Sequence, residues 1–512
     1  MPVTSSRAEV VVCGAGMAGI AAAYHLAVRR GVRGVVLVDA GEPLGLTSSR
    51  GTEAYRSWWP GPDDAMVRLT SRSLDVLEEL AVESAGAFAM NRRGYAFLTA
   101  DPARAAALAQ AAEGVERLGG GPLRRHGRAG GGLAEPTTPA LAERLAGFAG
   151  GGGADGPSME RYVPSPAEGI AGVPEGADLI DDPGEIRRLV PGVTPDVVAM
   201  LHVRRAGWLD AEALGRWLLA RAEAAGVERR RGVVEAVETT GGRVRSVRLA
   251  GGGAIAAGAL VLAPGPGLAA AGRLLGLELP VVNEAHGKLA LDDRLGAVPR
   301  GAPLLIWHDP VRLDWSGGER RRLAADPAAR ALLGELPPGV HCRPRGEREA
   351  LVLWPYGGVE APGGDEERTG AVDQPHRDGD RLRPGPVPPW ARFPRFHPLY
   401  DEVVLRGLAR MLPAAGGYRG RTSAAGRVDG GWYCKAPDNR PLIGPLPVAG
   451  AWVVGALSGF GIMASQGAAD LLAAHLTGAG LPRWAAAFHP DRFDDPSYRR
   501  RLAEWDPAAA EL

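Results

Sequence analysis

Apolar and polar positions divide this chain into short apolar runs and longer segments with helical spacing. Residues 10–12 are a continuous apolar run, which predicts a strand buried on both faces of a parallel sheet. An alanine-rich segment follows to Arg29 and Arg30, with Gly31 as its stop, and predicts a helix. A second apolar run, 35–38, predicts the next strand and ends in Asp39. Further on, Met66, Leu69, Leu74, Leu77 and Leu80 recur at helical spacing within 65–81. Residues 91–100 predict a strand with a turn, 179–191 a short helix with turns, and 207–228 an amphipathic helix capped by Asp210 and ended by Gly226. Strands are expected at 233–237, 244–249, 260–267, 280–291 and 304–308, and a hairpin at 341–355. A helix over 402–412 stops before Pro413. A last apolar run at 452–454 leads through Gly459 and Gly461 into a helix ending near 476. Two segments, near 101–156 and 360–389, are dense in Gly, Ala, Arg or Pro and are expected to be flexible insertions, the first with helical stretches broken at 119–121, 130–132 and 150–153, the second an exposed loop.

The first strand–helix–strand unit carries chemistry. Gly14, Gly16 and Gly19 stand at G-x-G-x-x-G spacing between a predicted strand and a predicted helix. Gly14 permits the tight turn, Gly16 admits a pyrophosphate to the backbone, and Gly19 lets the helix pack on the sheet. The helix start, from Met17, offers free N–H groups to phosphate. Asp39, twenty positions beyond Gly19, is placed to accept hydrogen bonds from a ribose diol. The alternative, a signal anchor over 10–28, is opposed by the three glycines, by His25 and by a single preceding positive charge at Arg7. The chain is therefore expected to be leaderless.

Composition narrows the field without choosing a chemistry. With 512 residues, two lobes are the natural expectation. The 59 basic and 59 acidic residues balance, which argues against a nucleic-acid partner. Only Lys288 and Lys435 are lysines; the other basic residues are arginine. Cys13, Cys342 and Cys434 lie too far apart to form a ligand spacing or a disulfide framework, and no membrane span is evident beyond the first segment. A cytoplasmic protein without a bound metal is expected.

The second strand–turn–helix unit, at the far end of the chain, decides between cofactors. A nicotinamide-binding domain has no need of it, whereas a long flavin dinucleotide uses one helix terminus for its pyrophosphate and another for its ring. At these residues the chain resembles the FAD-dependent D-amino-acid oxidase superfamily, on its glycine oxidase, sarcosine oxidase and dimethylglycine dehydrogenase side. The loop motif S-R-x-T-x-A/G-x-R is matched by Ser49, Arg50, Thr52, Ala54 and Arg56, with Ser48 before it. A later motif is matched by Gly431, Tyr433, Pro437, Asp438, Pro441, Ile443 and Gly444, and S-G-x-G by Ser458, Gly459, Phe460 and Gly461. Val234 and the turn at Ala263 and Gly265 match adenine-side elements. Asp39 stands where relatives usually have Glu, and the stretches 101–175 and 312–390 match poorly.

The resemblance implies an α/β fold: a Rossmann-like FAD-binding domain (1–90, 195–285 and 420–512) with a discontinuous α+β substrate domain (91–194 and 286–419) built on a mixed antiparallel sheet. It implies an enzyme that oxidises the C–N bond of a small amine or amino acid by hydride transfer to flavin N5, giving an imine that hydrolyses. The acceptor of the electrons is oxygen or a carrier; a dehydrogenase serving a carrier or quinone and a flavin-binding scaffold are the alternatives. Flavin contacts fall on Gly14, Gly16, Met17, Gly19, Asp39, Ser48, Ser49, Arg50, Thr52, Val234, Ala263, Gly265, Gly459, Gly461, Ile462 and Met463. Phe460 and Met463 replace the His and Lys frequent beside the flavin in relatives. Some relatives attach FAD through a cysteine where this chain has Gly431, and others through a histidine near the post-Rossmann loop, where this chain has none between His25 and His126. Non-covalent FAD is therefore expected. Arg56, Arg343 and His341 are the substrate-orienting candidates, Arg343 standing where relatives place a carboxylate-binding arginine.

Overall fold

The computed structural model describes residues 6–127, 162–166, 168–357, 394, 396–421 and 426–504. Its first sheet has eight strands with a parallel core. Ser6–Cys13 lies between Val35–Asp39 and Ala254–Leu262, and Ala254–Leu262 pairs in parallel with Ala451–Gly455. Glu228–Arg231 extends one edge. Val234–Thr240, Arg243–Leu249 and Ala254–Leu262 run back and forth as an antiparallel meander. Side chains alternate between faces along each strand. Val10 and Val12 thus enter a core with the helices Met17–Tyr24, Ala65–Glu83, Ala211–Ala224 and Gly461–Thr477, while Val11 enters the core on the other side. The continuous apolar runs follow from burial on both faces. The first helix passes into a π turn over His25–Arg29, and Gly31 ends it at φ 68°.

The second sheet has nine strands. It is mixed and mainly antiparallel, with parallel pairing only between Leu304–Trp307 and Tyr95–Thr99 and between Leu123–His126 and Ala177–Ile180 among its described strands. One face is apolar: Leu289, Leu305, Cys342 and Val352 pack against Val403, Val404 and Leu408 of the helix Tyr400–Met411. The fold is the expected mixed α/β arrangement.

Several local expectations differ from the structure. In the segment near 101–156 the helical stretch expected before Gly119 is present, and a strand that was not expected follows it. Asp101 accepts a hydrogen bond from Ala103 N–H, Pro102 opens the helix Pro102–Arg117, and Leu123–His126 is a strand. Its remainder, and the segment 360–389, lie outside the described residues. Leu179 and Ile180 belong to the strand Ala177–Ile180, and the helix is confined to Pro183–Leu189. Two strands within the ranges expected for the FAD-binding lobe, Ala199–Val203 and Gly426–Lys435, pair in the nine-stranded sheet. For Gly426–Lys435 the reason is ten paired residues along Val282–Asp292. Among the described residues, no helix is long and apolar enough to cross a membrane, and no group of side chains is arranged to hold a metal ion.

Candidate active site

The two strand–turn–helix units lie side by side, because Ala254–Leu262 pairs with the strand that precedes each turn. Each glycine of the first turn has its own surroundings. Gly14 has φ 109°, and a Cβ there would lie 2.3 Å from the Ala263 carbonyl oxygen. A Cβ on Gly19 would lie 1.8 Å from the Gly14 oxygen, so the helix rests directly on the turn. Gly16 differs: its missing Cβ has one neighbour within 4 Å, Ser48 Oγ at 3.4 Å. The opening at Gly16 is the cradle a pyrophosphate needs.

The surrounding groups fit a dinucleotide. Met17 N–H donates to Ser48 Oγ (2.9 Å) at the helix start. Asp39 accepts Ala15 N–H on Oδ2 (2.6 Å) and Gly41 N–H on Oδ1 (2.7 Å), which fixes the carboxylate and leaves lone pairs for a diol. Gly232 N–H reaches the Asp39 carbonyl, bringing Val234 to the same end of the sheet. Ala263 is tied to Cys13 by its N–H, and Gly265 follows at φ 58° with nothing near its Cβ position. Ser49 Oγ donates only to Leu46 within its own turn.

At the second turn, Ala456 (φ 53°) and Ser458 (φ 48°) hold left-handed backbone, and the helix Gly461–Thr477 begins with Ile462 and buried Met463 in its first turn. A Cβ on Gly459 would meet the Tyr433 ring at 2.7 Å. Phe460 sits edge-on to Trp59 at 4.8 Å. The other side of this region is the face of the nine-stranded sheet turned away from the helix Tyr400–Met411, which mixes charged and apolar side chains. Register puts Asp429, Lys288, Leu353, His341 and Ile306 in one row, and Arg343, Leu351 and Ala290 in the next row of that face. His286, two residues before Lys288, stacks on Tyr433 (4.1 Å, 15°). Glu284 lies 2.8 Å from both His286 Nε2 and Lys435 Nζ, and His286 foremost holds its carboxyl down to about 2.

The loop from Thr47 to Glu53 joins the two sheets. Thr47 Oγ1 donates to the Trp432 carbonyl (2.7 Å), and Arg50 Nη1 to Asp429 Oδ1 (3.1 Å). Lys288 Nζ donates to the Gly51 carbonyl (3.1 Å), and burial lowers its pKa. The sequence candidates take unequal roles here. Arg343 is 3% exposed and its guanidinium is committed: Nε to the Thr52 carbonyl (2.8 Å) and Nη2 to Glu53 Oε2 (2.7 Å). Arg56 is buried against the Tyr95 ring, with Nε on the Trp58 carbonyl. His341 donates Nδ1–H to the Gly339 carbonyl (2.8 Å), and burial holds its pKa down to about 4. It is therefore neutral at neutral pH and offers no charge to a carboxylate. Lys288, which binds this loop from the sheet, and Glu53, which receives Arg343 within it, are not among the candidates read from the sequence. The available signals were the alternation Glu284-x-His286-x-Lys288 and the presence of only two lysines among 59 basic residues.

Solved structures with the same fold include L-proline dehydrogenase from P. horikoshii (16% identity, TM-score 0.63, 96% of this chain and 98% of that one). Glycine oxidase from Geobacillus kaustophilus is similar (16%, TM-score 0.62, 95% and 98%), as is L-amino acid deaminase from Proteus vulgaris (16%, TM-score 0.63, 96% and 99%). At such identities the likeness establishes fold alone. A curated relative, the tRNA 5-methylaminomethyl-2-thiouridine biosynthesis bifunctional protein of Paracidovorax citrulli (strain AAC00-1), is 37% identical over 95 residues, and the match spans only 15% of that protein. Residues 9–315, more than half of the sequence, match the model of the FAD dependent oxidoreductases, and the chain belongs to that family.

Proposed function

We propose that this FAD-dependent oxidoreductase oxidises the C–N bond of a small amine or amino acid. One observation carries the reading: two helix-opening turns stand on strands that flank Ala254–Leu262, across from a sheet face bearing Tyr95, His341 and Lys288. The FAD-binding part comprises the eight-stranded sheet and its helices; the substrate part is built on the nine-stranded sheet. When bound, FAD supplies a hydride acceptor for the carbon bearing the amine, and the resulting imine is hydrolysed by water.

The residues around it have distinct tasks. Gly16, Met17 and Ser48 would hold the pyrophosphate and Asp39 the ribose, with Gly14 and Gly19 shaping the turn that presents them. The N-terminal turn of the helix Gly461–Thr477 would face the ring, where its N–H groups and dipole would favour negative charge. Phe460 and Trp59, both buried, exclude water from that end. Arg56 and Tyr95 form the wall that orients substrate. The cofactor is held without a covalent bond: Gly431 stands where relatives carry the attaching cysteine, and the nearby Cys434 is packed into the apolar core with Val11, Leu262 and Val453. Acid precipitation should therefore release all of the flavin into the supernatant.

The names of the structural neighbours include oxidases and a dehydrogenase, and both electron acceptors are compatible with the site. The test is anaerobic mixing with a panel of amines and amino acids, followed by air. Bleaching of the visible band with rapid recovery and peroxide identifies an oxidase; bleaching without recovery identifies a dehydrogenase. No bleaching by any amine, in protein that carries FAD, would refute the proposal.

A further inference from the structure

We infer that Arg343 is a positioning residue whose partner is Glu53, and that this ion pair holds the Thr47–Glu53 loop in its flavin-receiving shape. The inference rests on the FAD site proposed above. Three independent features point to it. First, the guanidinium gives two of its donors to this one loop, Nε to the Thr52 carbonyl (2.8 Å) and Nη2 to Glu53 Oε2 (2.7 Å), while Nη1 donates to the Pro344 carbonyl of its own strand (3.3 Å) and the group lies over the Trp208 ring at 5.3 Å. Second, both charges are withdrawn from water, the side chains being 3% and 15% exposed, so each depends on the other for compensation. Third, Glu53 has φ 59°, an unfavourable backbone for a residue with a side chain. That strain is held in place on both sides: Leu209 N–H donates to the Glu53 carbonyl and Arg343 grips the carboxylate.

Neighbouring contacts give the pair its consequence. Lys288 on Gly51, Arg50 on Asp429 and Thr47 on Trp432 fasten the rest of the loop to the same sheet. Ser48, within that loop, caps the helix at Met17 where phosphate is to bind. A change at Arg343 is thus transmitted to the cofactor site through the loop, without any contact between Arg343 and a substrate carboxylate.

The test compares wild type with Arg343→Met, Glu53→Gln and the double variant. Apoprotein is titrated with FAD by flavin fluorescence, and KM is measured for an amine with a carboxylate and one without. Arg343→Met, which leaves Glu53 buried and unpaired, should weaken FAD binding by about tenfold or more. The double variant should bind FAD several times better than Arg343→Met, and KM should move alike for both substrates. A rise in KM confined to the carboxylate substrate, or FAD affinity unchanged in both single variants, overturns the inference. If Arg343→Met fails to fold, Glu53→Gln and Arg343→Lys carry the same comparison. Failure of wild type to take up FAD would sink the cofactor reading itself, a result distinct from unchanged variants of a protein that binds it.

Discussion

Replacing Gly16 by Ala separates folding from cofactor binding more cleanly than any other change in this site. In the apoprotein the new Cβ meets only Ser48 Oγ, at 3.4 Å, and the backbone (φ −75°, ψ −178°) suits alanine. Gly16 is the N-cap of its helix, where alanine is poorer than glycine by roughly 0.5–1 kcal/mol. Reduced entropy of the unfolded chain returns about 0.4–1 kcal/mol. Stability of the apoprotein should therefore change by less than about 1 kcal/mol. The bound pyrophosphate has no such tolerance, because the methyl group fills the space it enters. Losing two charge-assisted hydrogen bonds at about 1.5–3 kcal/mol each weakens binding by about 3–6 kcal/mol, or roughly 10²–10⁴-fold in Kd. Thermal unfolding of apoprotein and fluorescence titration with FAD measure the two quantities separately. Gly19→Ala is the contrast: its Cβ would sit 1.8 Å from the Gly14 oxygen, and stability itself should fall by about 3 kcal/mol or more. Intact apoprotein of Gly16→Ala that binds FAD within threefold of wild type would refute the placement of the pyrophosphate.

Other outcomes follow from buried charges. Asp438 is wholly buried and accepts from Arg492 Nε (2.7 Å) and Nη2 (3.0 Å), Tyr498 OH (2.6 Å) and Arg440 N–H (3.0 Å). Asp438→Asn should cost about 3–5 kcal/mol in denaturant unfolding, because Arg492 is left without its counter-charge; a cost under about 1 kcal/mol would contradict that account. Burial, aided by Arg204, holds the His202 pKa down to about 3 from 6.5. Between those values the unfolded chain binds a proton that the folded chain refuses, so this contribution is complete above about 6.5 and is lost as pH falls toward 3. The lowered carboxyl of Asp178, bonded to Arg124 and His126, adds to the loss in acid. Tm should therefore be lower at pH 5 than at pH 7.5, and His202→Gln should flatten the profile; an unchanged slope in the variant would assign the effect elsewhere.

The parallel core was legible because its strands are buried on both faces and its turns demand glycine. Residues 10–12, 35–38 and 452–454 announce themselves by continuous hydrophobicity, and Gly14, Gly16 and Gly19 by spacing. The nine-stranded sheet was less legible, since Ala199–Val203 and Gly426–Lys435 are assigned by partners far away in the chain rather than by their own pattern. The helix Pro102–Arg117 was legible as a helical stretch ended by the glycines at 119–121, with Asp101 and Pro102 as its start signal, whereas the strand Leu123–His126 carries no pattern of its own. Site roles were least legible. An arginine in a strand carries no mark of whether it will face a ligand or a glutamate 290 positions away, and only the fold brings Arg343 to Glu53.

The placement of Ala451–Gly455 also sets a schedule for the growing chain. Its partner Ala254–Leu262 leaves the ribosome about 190 residues earlier. At usual elongation rates the edge it will cover waits roughly 10–40 s. During that interval the helices Met17–Tyr24 and Ala65–Glu83 lack Gly461–Thr477, the helix against which both pack. Nascent chains shorter than about 450 residues should therefore display apolar surface that holdase chaperones bind, and should retain no flavin.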